Sequence, residues 1–380
     1  MVMNIWFYFV FAYSLIAISV IMYRYFVILT FNNKSYPESQ KSVAIIIPSY
    51  NEDPISFRKC VQSAIHQTHL NTKVIIIDDG SKIDMSNYLS GLKDKVIFHR
   101  FTKNQGKRKA QTWGIFHTSA EFIVTVDSDT VLDRDAVKEI IKPFYDKRIG
   151  SVAGNVKISN QNTNLLTKMI GARYYNAFLM ERRCQGLTSS MVCNGGPLSA
   201  YRRALLLKYL PDYNSQTFLG NKCHYGDDRR LTTYMHIAGA KTSFSEKAIA
   251  WTEIPTNVQS LLKMMTRWKK SFYRETWLAL GYMWKNSLLS FENLYGLLMP
   301  FASFFIRINI LILCLVHPIY FLWYLFIIGF MAFFRSILMF YENGSEAFYN
   351  IMYAYFHEVI VYWLNFYALF TLKDNKWGTR

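Results

Sequence analysis

The stretch EFIVTVDSDTV (121–131) decides how this chain folds. Apolar and β-branched residues run from Phe122 to Val126 and stop abruptly at Asp127-Ser128-Asp129. A short apolar run of this kind reads as a strand buried on both faces, with a loop at its carboxyl end. Two carboxylates one residue apart repel each other, so a cation has to serve them.

Working outward, three further runs share the pattern. VAIIIPSYNE (43–52) and KVIIIDDGS (73–81) are apolar strands that end in acidic, polar loops, and VIFHR (96–100) is a third. Helical patterns separate them at 54–67 and 104–119. Strands alternating with helices imply an α/β domain with a parallel sheet and right-handed crossovers. Ligands of such sheets bind outside the carboxyl ends of the strands. The loops Tyr50-Asn51-Glu52, Asp78-Asp79-Gly80 and Asp127-Ser128-Asp129 are therefore expected to meet at one edge, near Lys107, Arg108 and Lys109 at a helix start. Acids together with bases point to a divalent cation shared with phosphate oxygens. Mg²⁺ commonly takes one or two protein carboxylates and leaves the rest to water and phosphate. As a Lewis acid it neutralises charge on a leaving diphosphate.

The 380 residues are 51% hydrophobic and carry a formal net charge of +17. The apolar residues crowd into both ends. Residues 1–40 read as an N-terminal membrane anchor made of one long helix, because about 20 apolar residues suffice to span. Residues 41–255 form the soluble domain, 256–290 interfacial amphipathic helices, 291–372 a C-terminal membrane region and 373–380 a tail. Lys34, Lys41, Arg58 and Lys59 follow the anchor, which places the soluble domain in the cytoplasm. Three apolar runs (294–316, 319–341, 347–372) would carry the basic tail outside if all of them crossed. The charge bias instead keeps the tail cytoplasmic, with one run re-entrant or interfacial. Arg307 and Arg335 are costly in lipid and should face protein or the interface. The expected setting is the plasma membrane. Membrane lipids and a phosphorylated substrate then account for the positive charge, and nucleic acid is not expected. Five cysteines without paired or metal-ligand spacing should be reduced thiols.

Two more clusters carry chemistry. VCNGGPLSAYRR (192–203) has a glycine pair that lets backbone approach a ligand. FLGNKCHYGDDRRLTTYMHIAG (218–239) puts Asp227 and Asp228 at a helix start, where one acid caps the helix and the other is placed to take a proton from an attacking hydroxyl. In LLKMMTRWKKSFYRETW (261–277), aromatic and basic residues alternate at helical spacing, as on an interfacial helix. Arg267 there could clamp phosphate and Trp268 could stack on a sugar.

In this order and between these membrane segments, IIIPSYNED, IIDDGS, NQGKRKAQ, TVDSDT, NGGPLSAYRR, FLGNKCHYGDDRRLT, TRWKKSFYRE and KWGTR resemble membrane-embedded family 2 processive glycosyltransferases of the bacterial and viral hyaluronan synthase type. The resemblance spans nearly the whole chain. It implies a GT-A fold and an inverting transfer from UDP-sugars that depends on Mg²⁺ or Mn²⁺. The implied donors are UDP-GlcNAc and UDP-GlcA, and the implied acceptor is a growing polysaccharide chain moved across the membrane. The alternative is a chitin-oligosaccharide or other β-glycan synthase using a single UDP-sugar.

The resemblance also assigns roles. Tyr50 stacks near the uracil, with Glu52 in the same loop. Asp79, with Asp78, holds the nucleotide. Asp127 and Asp129 take the diphosphate and metal, Asp129 as the more direct ligand, and Lys107 touches the diphosphate. Asp228 is the general base, with Asp227 beside it. Arg267 meets the diphosphate and Trp268 the acceptor sugar. Cys193 and Cys223 match cysteines near the acceptor and the channel mouth. Trp377 and Arg380 match a gating loop over bound nucleotide. There are two departures. Met264 and Met265 stand where the family carries glutamines, and a single leading membrane segment stands where relatives have two.

Overall fold

The computed structural model describes residues 2–31 and 34–374, with side chains from Tyr8 onward. Among the described residues ten strands occur: β1 Val43–Ser49, β2 Thr72–Asp78, β3 Ile97–Arg100, β4 Phe122–Thr125, β5 Val131–Leu132, β6 Ile149–Ile158, β7 Ser199–Arg202, β8 Thr217–Phe218, β9 Asn221–Lys222 and β10 Lys241–Thr252. Eight of them form one sheet in the order β3-β2-β1-β4-β7-β6-β10-β5, while β8 and β9 form a separate hairpin.

The first four strands are parallel, as their apolar runs require. Side chains alternate across this layer. Val43, Ile45 and Ile47 enter the core on one face, and Ala44 and Ile46 enter the core on the other. The sheet is not parallel throughout. β7 runs antiparallel to both β4 and β6. Its four residues, Ser-Ala-Tyr-Arg, have no apolar run to announce a strand. The reversal has a positional consequence: Ser199 pairs with Thr125, so the residues just before β7 lie beside the carboxyl end of β4. Gly195 and Gly196 are thereby brought to Asp127.

Among the described residues, two helices are long and apolar enough to cross a membrane, Tyr8–Thr30 and Ser287–Val316. The apolar helix Ile319–Arg335 is shorter, at 17 residues. At 1.5 Å per residue it spans about 25 Å, under the roughly 30 Å of a hydrocarbon core. The 347–372 run is not one helix. It divides into Gly344–Phe356, a wide π-helical turn at His357–Val361, and Leu364–Phe370. These pieces pack on the helices Leu165–Asn176 and Val258–Ala279. The charged residues in the apolar segments face carboxylates: Arg24 pairs with Glu292 at 3.0 Å, Arg307 with Glu358 and Arg335 with Glu181. The chain then returns to the sheet edge. Tyr225 donates from its hydroxyl to the Asp374 carbonyl at 3.1 Å, and Lys270 pairs with the Asp374 carboxylate at 3.3 Å.

Candidate active site

The site is assembled where β1, β2 and β4 end. Asp79 follows β2 and is buried. Its carboxylate accepts from the backbone N–H groups of Gln105 (2.7 Å) and Gly106 (2.9 Å). Gly80 has φ +71°, and a Cβ there would lie 2.5 Å from the Lys103 carbonyl carbon, so only glycine lets the two loops close together. Asp79 thus anchors the loop that starts the helix Lys107–Phe116. Burial raises its carboxyl above the ordinary value, and the two amides oppose that shift.

Lys107 brings a cation to Asp127 of the acidic loop. Its ammonium lies 2.6 Å from Asp127 and 2.9 Å from Asp227, so it joins the loop after β4 to the helix Asp227–Ile237. Burial alone would depress its pKa, but the two carboxylates outweigh burial and hold it well above the usual lysine range. Burial likewise would raise Asp227, but Lys107 keeps it below the ordinary value. Arg108 and Lys109 have other duties. Arg108 is buried and donates to the Tyr213 and Tyr225 carbonyls, and Lys109 reaches Gln105.

Asp228 differs from its neighbour. Burial, followed by the charge of Asp227, raises its carboxyl above the ordinary range. Its Oδ1 accepts from the Arg229 N–H (2.8 Å) and its Oδ2 from the Cys193 thiol (3.3 Å). Burial and the nearby Asp228 push that thiol up to about 12, so it stays a donor at neutral pH. Two adjacent acids with opposite shifts are the arrangement that separates a structural carboxylate from a base.

Gly196 completes the cradle, since a Cβ there would lie 2.8 Å from Asp127 Oδ2. Gly196→Ala is therefore expected to push the Asp127 carboxylate aside. Activity should fall at least about tenfold, because roughly an ångström of misplacement is costly at a reacting centre. The melting temperature of the purified variant should stay close to that of the parent. Equal activity would show that Asp127 can move without consequence. Glu52 accepts from the Ser128 hydroxyl at 2.6 Å, so the loops after β1 and β4 are also tied together.

These groups line one cavity of about 2110 Å³. Tyr50, Glu52, Asp79, Lys107, Asp127, Asp129, Cys193, Asp227, Asp228, Arg267 and Trp268 all border it. Asp78 and Cys223 do not. The Asp78 carboxylate accepts from the Ser81 and Met85 amides and pairs with Arg100 at 3.4 Å, which closes the turn after β2. Cys223 is buried beside the site. Trp377 and Arg380 lie outside the described residues. Met265 is buried in an apolar cluster with Ile158, Met169, Ile170 and Leu261, and Met264 packs at its edge. Both methionines also border the cavity, so their thioethers stand where the resemblance expects amides.

Pattern reading missed three contributions. Gln111 donates to Asp227 at 3.3 Å, Tyr213 donates to Gln111 at 2.5 Å, and Glu275 pairs with Arg230 at 3.4 Å behind the Asp227 helix. Their signal was faint, because a polar residue inside an amphipathic helix reads as solvated. No group of three or more His, Cys, Asp or Glu that could hold a metal occurs among the described residues. A cation held by Asp127 and Asp129 would take its remaining ligands from water and phosphate, a donor set that suits Mg²⁺ or Mn²⁺.

A mixed sheet with acidic loops at the carboxyl ends of its parallel strands is the GT-A architecture of a glycosyltransferase. Residues 44–210 match the glycosyl transferase family 2 profile. The chain is 34% identical over 361 residues to a hyaluronan synthase of Streptococcus pyogenes, covering 91% of this chain and 85% of that one. It is 31% identical over 355 residues to an N-acetylglucosaminyltransferase of Neorhizobium galegae, covering 90% and 81%. A mannosyltransferase from Pyrobaculum calidifontis in complex with GDP-Man and Mn²⁺ shares the fold, with a TM-score of 0.65, 15% identity and coverage of 93% and 98%. The chain belongs to glycosyl transferase family 2.

Proposed function

We propose that this protein is a hyaluronan synthase. It transfers GlcNAc and GlcA from UDP-sugars to the end of a growing polysaccharide, with inversion, and passes the product through the membrane. The observation that carries this reading is the continuity of the cavity. Its lining runs from Tyr50 and Asp79 past Trp268 to Tyr295, Met299, Ser303, Arg307 and Tyr362 on the C-terminal apolar segments. An enzyme that releases a short soluble product has no need of such a passage. The relatives named hyaluronan synthase, matched over most of both chains, support the same choice.

In this reading Asp228 takes the proton from the acceptor hydroxyl as that oxygen attacks the anomeric carbon. Lys107, held between Asp127 and Asp227, faces the diphosphate. Trp268, 43% exposed on the cavity wall and 6.1 Å from the Tyr174 ring, offers its face to the acceptor sugar. Asp127 and Asp129 would hold Mg²⁺ or Mn²⁺, which supplies charge neutralisation at the departing diphosphate. We further assign the soluble domain and the tail to the cytoplasmic face of the plasma membrane, on the charge bias around residues 34–59 and the docking of Asp374 beside Tyr225.

Membrane vesicles carrying the protein, supplied with Mg²⁺ or Mn²⁺ and radiolabelled UDP-sugars singly and in pairs, test the proposal. High-mass, hyaluronidase-sensitive polymer is expected only with UDP-GlcNAc and UDP-GlcA together. Short product from UDP-GlcNAc alone would overturn it in favour of a chitin-oligosaccharide synthase, the reading favoured by the N-acetylglucosaminyltransferase relative.

A further inference from the structure

A donor or acceptor bearing a uronic acid brings a carboxylate into a site that already holds Asp127, Asp227 and Asp228. Like charges at such range are costly, so an available cation has to receive it. Lys107 is held by Asp127 and Asp227. Arg173 is held by Glu181 at 3.0 Å, and Arg182 donates to the Cys193 carbonyl. Arg230 is outside the cavity lining and is taken up by Asp212 (2.8 Å) and Glu275.

Arg229 is different. It lines the cavity immediately after the base, with its guanidinium 4.9 Å over the ring of Phe272. Among the described residues it has no carboxylate within salt-bridge distance. Phe272 is itself fixed against the helix Ser287–Val316, where a Cβ at Gly296 would lie 2.7 Å from the ring. Cation–π attraction holds a guanidinium against an aromatic face without using up its N–H donors. Those donors form a planar fork suited to a carboxylate. Lys222, Lys263 and Lys373 also border the cavity, but as exposed ammonium groups without such a seat, and Lys269 there donates to Asn365 at 2.7 Å.

We infer that Arg229, seated on Phe272, binds the carboxylate of the uronic acid sugar at the transfer site and so sets selectivity for an acidic rather than a neutral sugar. This rests on the synthase reading above. The shared chemistry is an anionic oxygen pair, and a diphosphate could offer the same, so the test separates the two.

Full-length wild type, Arg229→Gln and Arg229→Lys are compared in vesicles. The readouts are the KM and turnover for each UDP-sugar with the other saturating, and inhibition by UDP. With Arg229→Gln, use of UDP-GlcA should fall roughly 10- to 100-fold, the equivalent of losing hydrogen bonds to a charged group. UDP-GlcNAc hydrolysis and UDP inhibition should stay within about twofold, since the inference assigns Arg229 no contact with either. Arg229→Lys should recover part of the loss as a point charge. An equal loss of UDP-GlcNAc hydrolysis measured without UDP-GlcA, or weakened UDP inhibition, would overturn the inference in favour of a diphosphate contact. Loss of all activity in both variants would show a structural role and also overturn it. A wild type that never uses UDP-GlcA would instead sink the synthase reading, and the inference with it.

Discussion

Asp228→Asn is expected to remove sugar transfer, with the rate falling by about 10³-fold or more, within the range attributed to a positioned base. UDP affinity should remain within a few-fold, because Asp228 faces Cys193 and the cavity rather than Lys107. Single-turnover transfer and UDP binding by calorimetry check the two halves. Parallel loss of both would mean that Asp228 organises the pocket and does not act as base. The wild-type pH profile gives a second reading. Burial and Asp227 raise the Asp228 carboxyl, and the base works only when ionised. The rate should therefore fall on the acid side at a pH above the ordinary carboxylate value of about 4, and it should be flat above that limb. Asparagine at 228 should abolish the limb together with the activity.

Lys107→Met is the second. It leaves Asp127 and Asp227 facing each other without their shared ammonium. Turnover should fall by about 10²-fold or more, as on loss of a positioned group at a leaving charge. Stability should drop on the order of 2 kcal/mol, less than for a fully buried pair because Asp127 stays partly exposed. Lys107→Arg should keep the charge and recover part of both. The pH dependence follows from the shifts. Asp227 is held low, so its contribution is present above the ordinary carboxylate pKa and lost as pH falls through its depressed folded value. Lys107 is held high, so its contribution is present below the ordinary lysine pKa and lost as pH rises through its raised folded value. Without Lys107, burial raises Asp227, so the melting-temperature deficit of Lys107→Met should be smaller at about pH 5, where that carboxyl can take up a proton, than at about pH 8. A deficit that disappears at about pH 8 would mean that Lys107 is not charged there.

Much of this site was legible from pattern. A continuous apolar run can be satisfied only by burial on both faces, so 43–49, 73–78 and 122–125 had to be inner strands with their polar ends on one edge. Helix periodicity placed Asp227 and Asp228 at a helix start, and the helix does begin at Asp227. Arg307 and Arg335, costly in lipid, were expected to face protein or the interface, and the structure pairs them with Glu358 and Glu181.

Periodicity is local, and the remaining features depend on residues far apart in the chain. The four residues of β7 carry no apolar signal. Their reversed pairing with β4 is set by neighbours on both sides, and that pairing brings Gly196 against Asp127. Asp78 and Asp79 are adjacent and chemically alike, yet one closes a turn and the other anchors the Lys107 loop, because the backbone amides that meet them come from different segments. Asp227 and Asp228 diverge for the same reason: Lys107 reaches one and Cys193 the other. Residue type and spacing thus established the strands, the sheet edge and the list of acids and bases. Only the tertiary structure decided which acid is paired, which is raised and which arginine remains available. Burial and the choice of counter-charge are properties of the folded neighbourhood and not of any stretch of sequence.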